Sequence, residues 1–379
     1  MNMDELRGRI DAVDDELLRC FAERMDIAGD IARYKAEHGL PVLDERRERE
    51  KLFAVSEKAP EELQSYAVSL YALLFELSRS RQNRLLHRQS PLAESIQNAI
   101  GQTPPLFPEK AAVACQGVEG SNSQLACERL FRLPNELYFS SFDAVFNAIE
   151  KGLCRYGVLP IENSTAGSVT QVYDLMEKHS FHIVGARKLR IDHRLMRRPG
   201  ATGPIREIVS HEQSLRQCSQ FFATHPEYKA VPMTNNAVAA EFVSNSDRDD
   251  LAVIASKNCA ELYNLEIVGD SISNSQSNYT RFICISRKLE VYPHARKISI
   301  MCNLPHEAGS LNSIISRLAI AGINLCKLES RPMPDRDFEF MFYFDIETSV
   351  YSEEFAQLIK ELSDGAEEFY YLGSYNEVI

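Results

Sequence analysis

The sequence predicts a multidomain chain with three folded regions: an all-α N-terminal domain, a central α/β domain and a C-terminal βαββαβ unit of the ferredoxin-like kind. Three observations carry that expectation. Residues 4 to about 88 hold no β-branched run and are rich in Leu, Ala, Glu and Arg, which favour helix. From 111 to about 287, short apolar runs such as Tyr156-Gly157-Val158-Leu159, His182-Ile183-Val184-Gly185 and Leu251-Ala252-Val253-Ile254 alternate with helical stretches such as 142–151. Beyond Val291-Tyr292-Pro293-His294 come a strand (298–303), a helix opening near Gly309-Ser310, two strands (323–330 and 338–346), a helix (353–362) and a last strand (368–372).

The expected divisions are 1–88, a linker over 89–109, 110–288 and 296–379. Breaks at Gly39-Leu40-Pro41 and Ala59-Pro60 cut the first region into three helices. The linker is marked by Pro91, Pro104, Pro105 and Pro108, because proline does not continue a helix.

With 379 residues, 44% of them apolar, each region is long enough to bury its own core. The net charge of −12 argues against a nucleic-acid partner, which calls for a basic patch. Of that charge, −8 lies in residues 289–379, where 7 Lys and Arg face 15 Asp and Glu. No apolar run approaches the ~18 residues of a membrane span, and Met1-Asn2-Met3-Asp4-Glu5 has no signal-peptide character. No membrane partner is expected. The nine cysteines form no CxxC pair, so neither a zinc site nor a disulfide framework is indicated. Reduced thiols in a cytoplasmic protein are the simplest reading.

On a helical wheel, Leu6, Ile10, Val13, Leu17, Phe21, Ala28 and Ile31 share one stripe, as for a packed helix. Arg24 and Lys35 fall in the middle of it. Buried cations need partners, so something anionic should meet them. Arg7 lies roughly 80–100° away and cannot easily serve the same pocket on its own helix. Asp44, Arg47 and Glu48 stand at i, i+3, i+4, and Ser78 and Gln82 at i, i+4 on the third helix.

Together these residues resemble the all-helical chorismate mutase family, over the whole of 4–84. The resemblance implies that the first helices of two protomers cross and that Arg7 enters the partner's site. It further implies that Arg7, Arg24 and Arg47 bind the carboxylates of chorismate, while Lys35 and Gln82 donate to its ether oxygen. Glu48 would hold the substrate hydroxyl, with Asp44 and Ser78 lining the pocket. The composition suits a concerted pericyclic shift to prephenate, which needs clamping cations and donors where negative charge grows.

In the α/β region, Gly157-Val158-Leu159-Pro160-Ile161-Glu162-Asn163-Ser164-Thr165 is a buried strand running into a polar loop, where sites of open α/β sheets lie. Asn278-Tyr279-Thr280-Arg281-Phe282 opens another strand with a hydroxyl and a cation. The pair resembles the V-P-I-E-N-[ST] and T-R-F signatures of prephenate dehydratase. Ile191-Asp192-His193, Ser210-His211-Glu212-Gln213 and Gln217-Cys218 follow in family order. The resemblance implies two α/β lobes, the second inserted in the first, with the site in the cleft. Thr280 would assist the departing hydroxyl of prephenate and Arg281 would hold a carboxylate. Asn163, Ser164, Thr165 and Gln217 would position the rest, with Glu162 and Phe282 inside the motifs. The loop Gly117-Val118-Glu119-Gly120-Ser121-Asn122-Ser123 departs from the family's Gly-Pro-x-Gly-[ST]-[FY]-[ST], lacking the proline and the aromatic.

Residues 296–379 resemble the ACT domain, an amino-acid-binding module. Gly309-Ser310-Leu311 stands where aromatic-sensing members have Gly-Ala-Leu, and Glu329-Ser330-Arg331-Pro332 matches their E-S-R-P. The free N–H groups at Gly309 suit a ligand carboxylate, on which a side chain there would intrude.

The resemblances imply a cytoplasmic bifunctional enzyme taking chorismate and then prephenate, with L-phenylalanine as effector. No metal or organic cofactor is expected, since neither reaction needs an electron sink or Lewis acid. A homo-oligomer is implied through the mutase helices and ACT domains, as a dimer or a tetramer. Two rivals are an amino-acid-sensing regulatory protein with a dimerising helical domain, and a mutase with an inactive dehydratase.

Overall fold

The computed structural model describes residues 2–86, 90–307, 309–333, 336 and 339–378. The expected edge at 88–89 and Phe338, where the strand 338–346 was to begin, lie outside the described residues. The chain forms two compact units: Met1–Ser95 with Cys302–Leu325 and Tyr351–Phe369, and Ile96–Met301 with Cys326–Val350 and Tyr370–Ile379.

Helix α1 (Met3–Glu37) starts on a capping box, in which Asn2 Oδ1 accepts from Glu5 N–H at 2.8 Å and the Glu5 carboxylate accepts from Asn2 N–H at 3.0 Å. Asp44 caps α2 (Glu45–Lys58). Pro60 and a 3₁₀ turn over Glu61–Leu63 then lead into α3 (Gln64–Leu86), so both expected breaks are present. Of the stripe on α1, Ala28 is buried, with Gly29 and Ala32 beside it, whereas Ile10, Val13, Leu17 and Ile31 are 61%, 59%, 56% and 43% exposed. Its first half, expected to be packed, is therefore uncovered in the single chain. The stretch expected as linker contains α4 (Pro91–Gln102), with Pro91 at the first helical position, where a missing N–H costs nothing.

The central region has two α/β lobes. The first holds β1 (Lys110–Gln116), α5 (Asn122–Leu130), β2 (Leu133–Phe139), α6 (Phe142–Glu150), β3 (Tyr156–Asn163), β4 (Gly167–Ser168), α7 (Thr170–Lys178) and β5 (His182–Arg190). The second holds β6 (Arg194–Arg197), β7 (Glu207–His211), α8 (Glu212–Gln217), α9 (Ser219–Thr224), β8 (Lys229–Met233), α10 (Asn236–Ser244), β9 (Leu251–Ala255), α11 (Lys257–Leu262) and β10 (Glu266–Ser271). Strand β11 (Tyr279–Ser286) then returns to the first lobe, so the second is inserted in it. The second lobe's sheet runs β10-β6-β9-β7-β8.

The C-terminal residues follow as β12 (Lys297–Asn303), α12 (Ser310–Ile320), β13 (Asn324–Pro332), β14 (Phe340–Glu347), α13 (Glu353–Asp364) and β15 (Glu368–Tyr375), with sheet order β13-β14-β12-β15. A short last strand, β16 (Glu377–Val378), was not expected. It pairs in parallel with β5, giving the first lobe's sheet the order β16-β5-β11-β3-β1-β2, with β4 on β3.

Among the described residues no helix is long and apolar enough to cross a membrane. None of the nine cysteines, all of them described residues, is joined in a disulfide. The ligand atoms of Cys115, Cys127 and Glu136 all lie within 4.8 Å of one another. The hydrogen bond to the Cys115 thiol, and then burial, push Cys127 well above its ordinary value, so Cys127 packs as a protonated thiol.

Candidate active sites

The cations of the helical unit find partners inside it. Arg24 Nη1 donates to the Leu74 carbonyl at 2.9 Å and to Ser78 Oγ, and the guanidinium lies 5.6 Å from the centre of the Phe75 ring. Burial pulls the Arg24 pKa below its ordinary value. Lys35 Nζ donates to the Val42 carbonyl at 2.6 Å. Ser78 and Gln82 are buried, and Gln82 Oε1 has no hydrogen-bond partner, an arrangement costly for an amide unless a ligand meets it.

Three expected members stand apart. Asp44 is spent on capping α2, accepting from Arg47 N–H at 3.0 Å, and the Arg47 side chain is exposed. Arg7 is exposed, 3.6 Å from Asp4, and 17 residues before Arg24, or about 25 Å along the helix axis. Glu48 accepts from Arg79, which the sequence reading missed because, next to Ser78 on a helix, it reads as ordinary surface. Glu48 and Arg79 line a cavity of about 980 Å³ together with Gly309, Ser310, Arg317 and Glu361. Gly309 is the N-cap of α12 at φ +99°, with no side-chain cap. A Cβ there would meet nothing within 4 Å, so the left-handed backbone, rather than space, calls for glycine. Leu311 is half-buried.

In the two-lobed region, Thr280 pairs with Asn163, and Arg281 with Glu162, on neighbouring rungs of the β11–β3 ladder. Successive side chains of a strand point to opposite faces, and the rungs divide accordingly. On one face, Asn163 Nδ2 donates to Thr280 Oγ1 at 2.9 Å and to Asn278 Oδ1 at 2.8 Å. Asn163 Oδ1 accepts from Thr165 Oγ1 at 2.8 Å, and Thr165 Oγ1 accepts from Gln217 Nε2 at 2.9 Å. Gln217 Oε1 lies 2.8 Å from His193 Nε2 and accepts from Asn278 Nδ2 at 3.1 Å. Ser164 is committed to the backbone, donating to the Ser277 carbonyl and accepting from Tyr279 N–H. Asn278 and His193 belong to this network although the sequence reading gave them no role. Both sit inside the motif stretches, which was the signal available.

This network borders a cavity of about 590 Å³, lined by Thr165, Gln217, Asn278, His211, Gln213 and Arg216 among others. Thr280 stands behind that lining, two hydrogen bonds from Thr165 through Asn163. The altered loop is not part of it: Ser121 caps α5, and Glu119 O accepts from the second lobe's Tyr263 hydroxyl at 2.8 Å.

Three expectations give way, the first two on the other face. Arg281 is 5% exposed, and its guanidinium is occupied by Asp345 and by the Tyr375 hydroxyl at 2.6 Å, so it has no room for a substrate carboxylate. Glu162 pairs with Lys327 at 3.1 Å. Phe282 packs in the core with Val158 and Cys284. The E-S-R-P stretch alternates likewise. Glu329 accepts from Ser168 at 2.6 Å and Arg331 pairs with Asp174 at 2.9 Å, while Ser330 and Pro332 lie on the exposed face.

Cations and amides gathered within helices, and a chain of hydroxyls and amides beside a cavity of the two-lobed region, make two separate candidate sites of the kind enzymes carry. Residues 6–83 match the sequence model of the family "chorismate mutase type II" and residues 113–290 that of "prephenate dehydratase". A bifunctional chorismate mutase/prephenate dehydratase of Enterobacter agglomerans is 33% identical over 379 residues, covering 98% of this chain and 95% of its own. Among solved structures, GqqA, described as a novel type of quorum-quenching acylase, is 28% identical with a TM-score of 0.64, covering 70% of this chain and 98% of its own. The prephenate dehydratase of Arthrobacter aurescens, solved with L-Phe, shares the fold at 24% identity and a TM-score of 0.64, covering 70% of this chain and 89% of its own. The chain belongs to the bifunctional chorismate mutase/prephenate dehydratase family, and it is an enzyme with both activities.

Proposed function

We propose that the chain makes prephenate from chorismate in its helical domain and phenylpyruvate from prephenate in its cleft, as a cytoplasmic enzyme of phenylalanine biosynthesis that L-phenylalanine restrains through an ACT module. In the mutase step, Arg24 and Arg47 clamp the carboxylates of chorismate and Arg7 comes from a second copy. Lys35 and Gln82 donate to the ether oxygen as its bond breaks, and Glu48 holds the hydroxyl. The uncovered apolar stripe at Ile10, Val13 and Leu17 and the distant Arg7 support such a crossing of two α1 helices in a homo-oligomer.

In the dehydratase step, the ring carboxylate leaves as carbon dioxide. Its bonding electrons enter the ring, and the ring hydroxyl departs with one proton as water. The observation that carries this reading is the Thr280 hydroxyl, which accepts from Asn163 and so keeps its own hydrogen free to donate. Arg216, on the cavity lining, takes the carboxylate-holding part that buried Arg281 does not have room for. For the effector, support comes from the uncapped N-terminus of α12 at Gly309, with Ser310 and Leu311 beside it, and from the exposed Ser330 and Pro332 edge.

Replacing Thr280 tests the reading. Thr280→Ala is expected to lower dehydratase turnover by about 10²–10³-fold with mutase activity unchanged, whereas Thr280→Ser keeps part of it. An alanine variant with wild-type dehydratase turnover would remove Thr280 from the mechanism.

A further inference from the structure

Arg281 sits at the centre of a buried charge cluster that joins two parts of the fold. Its guanidinium meets Asp345 on β14, donates to the Tyr375 hydroxyl on β15 at 2.6 Å, and brings Nε to 3.1 Å from Glu377 Oε1 on β16. Ser299 on β12 donates to Asp345 and lies 2.7 Å from the Tyr375 hydroxyl. Glu377 is also held by Lys297 at 2.7 Å and by Lys188 at 3.0 Å. Burial works against both charges, yet Tyr375 and Asp345 keep Arg281 above its ordinary pKa, and Arg281 and Lys297 keep Glu377 below the usual carboxylate range. On the same rung as Arg281, Glu162 reaches Lys327 of β13, whose Nζ also donates to Ser168 at 2.9 Å.

We infer that Arg281 is a positioning residue, which fixes the Thr280–Asn163 rung by tying its neighbouring rung to the C-terminal strands through Asp345, Tyr375 and Glu377. The argument is one of adjacency on a stiff ladder. Thr280 and Arg281 are consecutive on β11, and Asn163 and Glu162 are consecutive on β3, so the backbone cannot shift at one rung without shifting the other. A register irregularity between Arg281 and Phe282 interrupts the β11–β3 pairing just beyond these rungs, while β5 pairs regularly with Thr280 and Arg281 on the other side. The ionic anchor stiffens the β3 side, where the ladder is interrupted. On the reading that phenylalanine acts through these C-terminal residues, the same anchor carries their arrangement to the Thr280 hydroxyl. A cluster this buried is intolerant of a half-made state, because removal of one partner leaves another charge unpaired.

The test uses the full-length wild type, Asp345→Asn, Tyr375→Phe and Arg281→Lys, with dehydratase kcat and KM on prephenate, mutase rate on chorismate, and calorimetric phenylalanine binding. Asp345→Asn and Tyr375→Phe touch neither substrate nor reacting atoms. They are expected to lower kcat by about tenfold to a hundredfold, the cost of a small displacement, with KM within about twofold and mutase activity unchanged. Phenylalanine should still bind both variants while its inhibition of their residual dehydratase weakens. Wild-type kcat in both variants, with inhibition unchanged, would overturn the inference. So would a rise in KM without loss of kcat in Arg281→Lys, which would make Arg281 a substrate ligand. A wild type that binds no phenylalanine would remove the regulatory reading alone, since the kcat–KM split still decides the positioning role.

Discussion

His193 is 2% exposed, and burial pulls its imidazole below the ordinary 6.5 despite its contact with Gln217. The unfolded chain therefore binds more protons than the folded one below about pH 6.5, so this residue makes stability rise with pH. Acidification from about pH 7.5 to about pH 5.5 should lower the wild-type melting temperature, and His193→Gln should flatten that slope. Identical slopes in thermal melts would show that His193 does not report on the fold. Single residues stand out in the sequence where the chemistry is unusual for its place, and the structure gives each of these polar partners: Arg24 in an apolar stripe, Asn163 after a buried strand, Thr280 opening another. Orientation was not. Composition cannot say which face of a strand meets the cleft, and this is why Asn163 and Glu162, adjacent in one motif, have opposite surroundings. Arg281 was misread for the same reason, because its partners Asp345 and Tyr375 are over 60 residues away in sequence.

Helices and strands came through well where their signals are local. The breaks before α2 and α3, the alternation of the α/β region and the C-terminal strand–helix order follow from proline, glycine and periodicity. The errors occurred where partners are remote. Strand β16 is two residues long and exists because β5 offers it an edge, and α4 lies in a stretch whose prolines suggested only a linker. Just before β16, Gly373 takes φ +141°, and a Cβ on it would sit 2.2 Å from the Ile183 carbonyl oxygen. Gly373→Ala should thus destabilise the protein by about 1–3 kcal/mol, through overpacking against backbone that cannot yield. Gly101→Ala, on α4 with nothing within 4 Å, is the control and should be neutral or stabilising. Equal melting temperatures for the two variants would show that the close approach of β15 to β5 carries no weight.

The molecule's two compact units do not follow the three regions read from sequence. Helices α12 and α13 fall in the first unit, and most of the strands around them in order fall in the second. Periodicity marks elements and motifs mark chemistry, but neither says which neighbours an element chooses. The acidity of residues 289–379 has a partial account here: Asp345, buried, and Glu377, half-buried, are counter-ions of Arg281 and Lys297, and so do not simply add surface charge. The central claim is that two chemically separate sites share one chain. Lys35→Ala tests it most directly, with prephenate formation from chorismate and phenylpyruvate formation from supplied prephenate measured on the same preparation. The expected result is a loss of about 10²–10³-fold in the first rate, since a donor at a developing oxyanion is removed, with the second at the wild-type value. Parallel loss of both rates, with an unchanged circular dichroism spectrum, would contradict it.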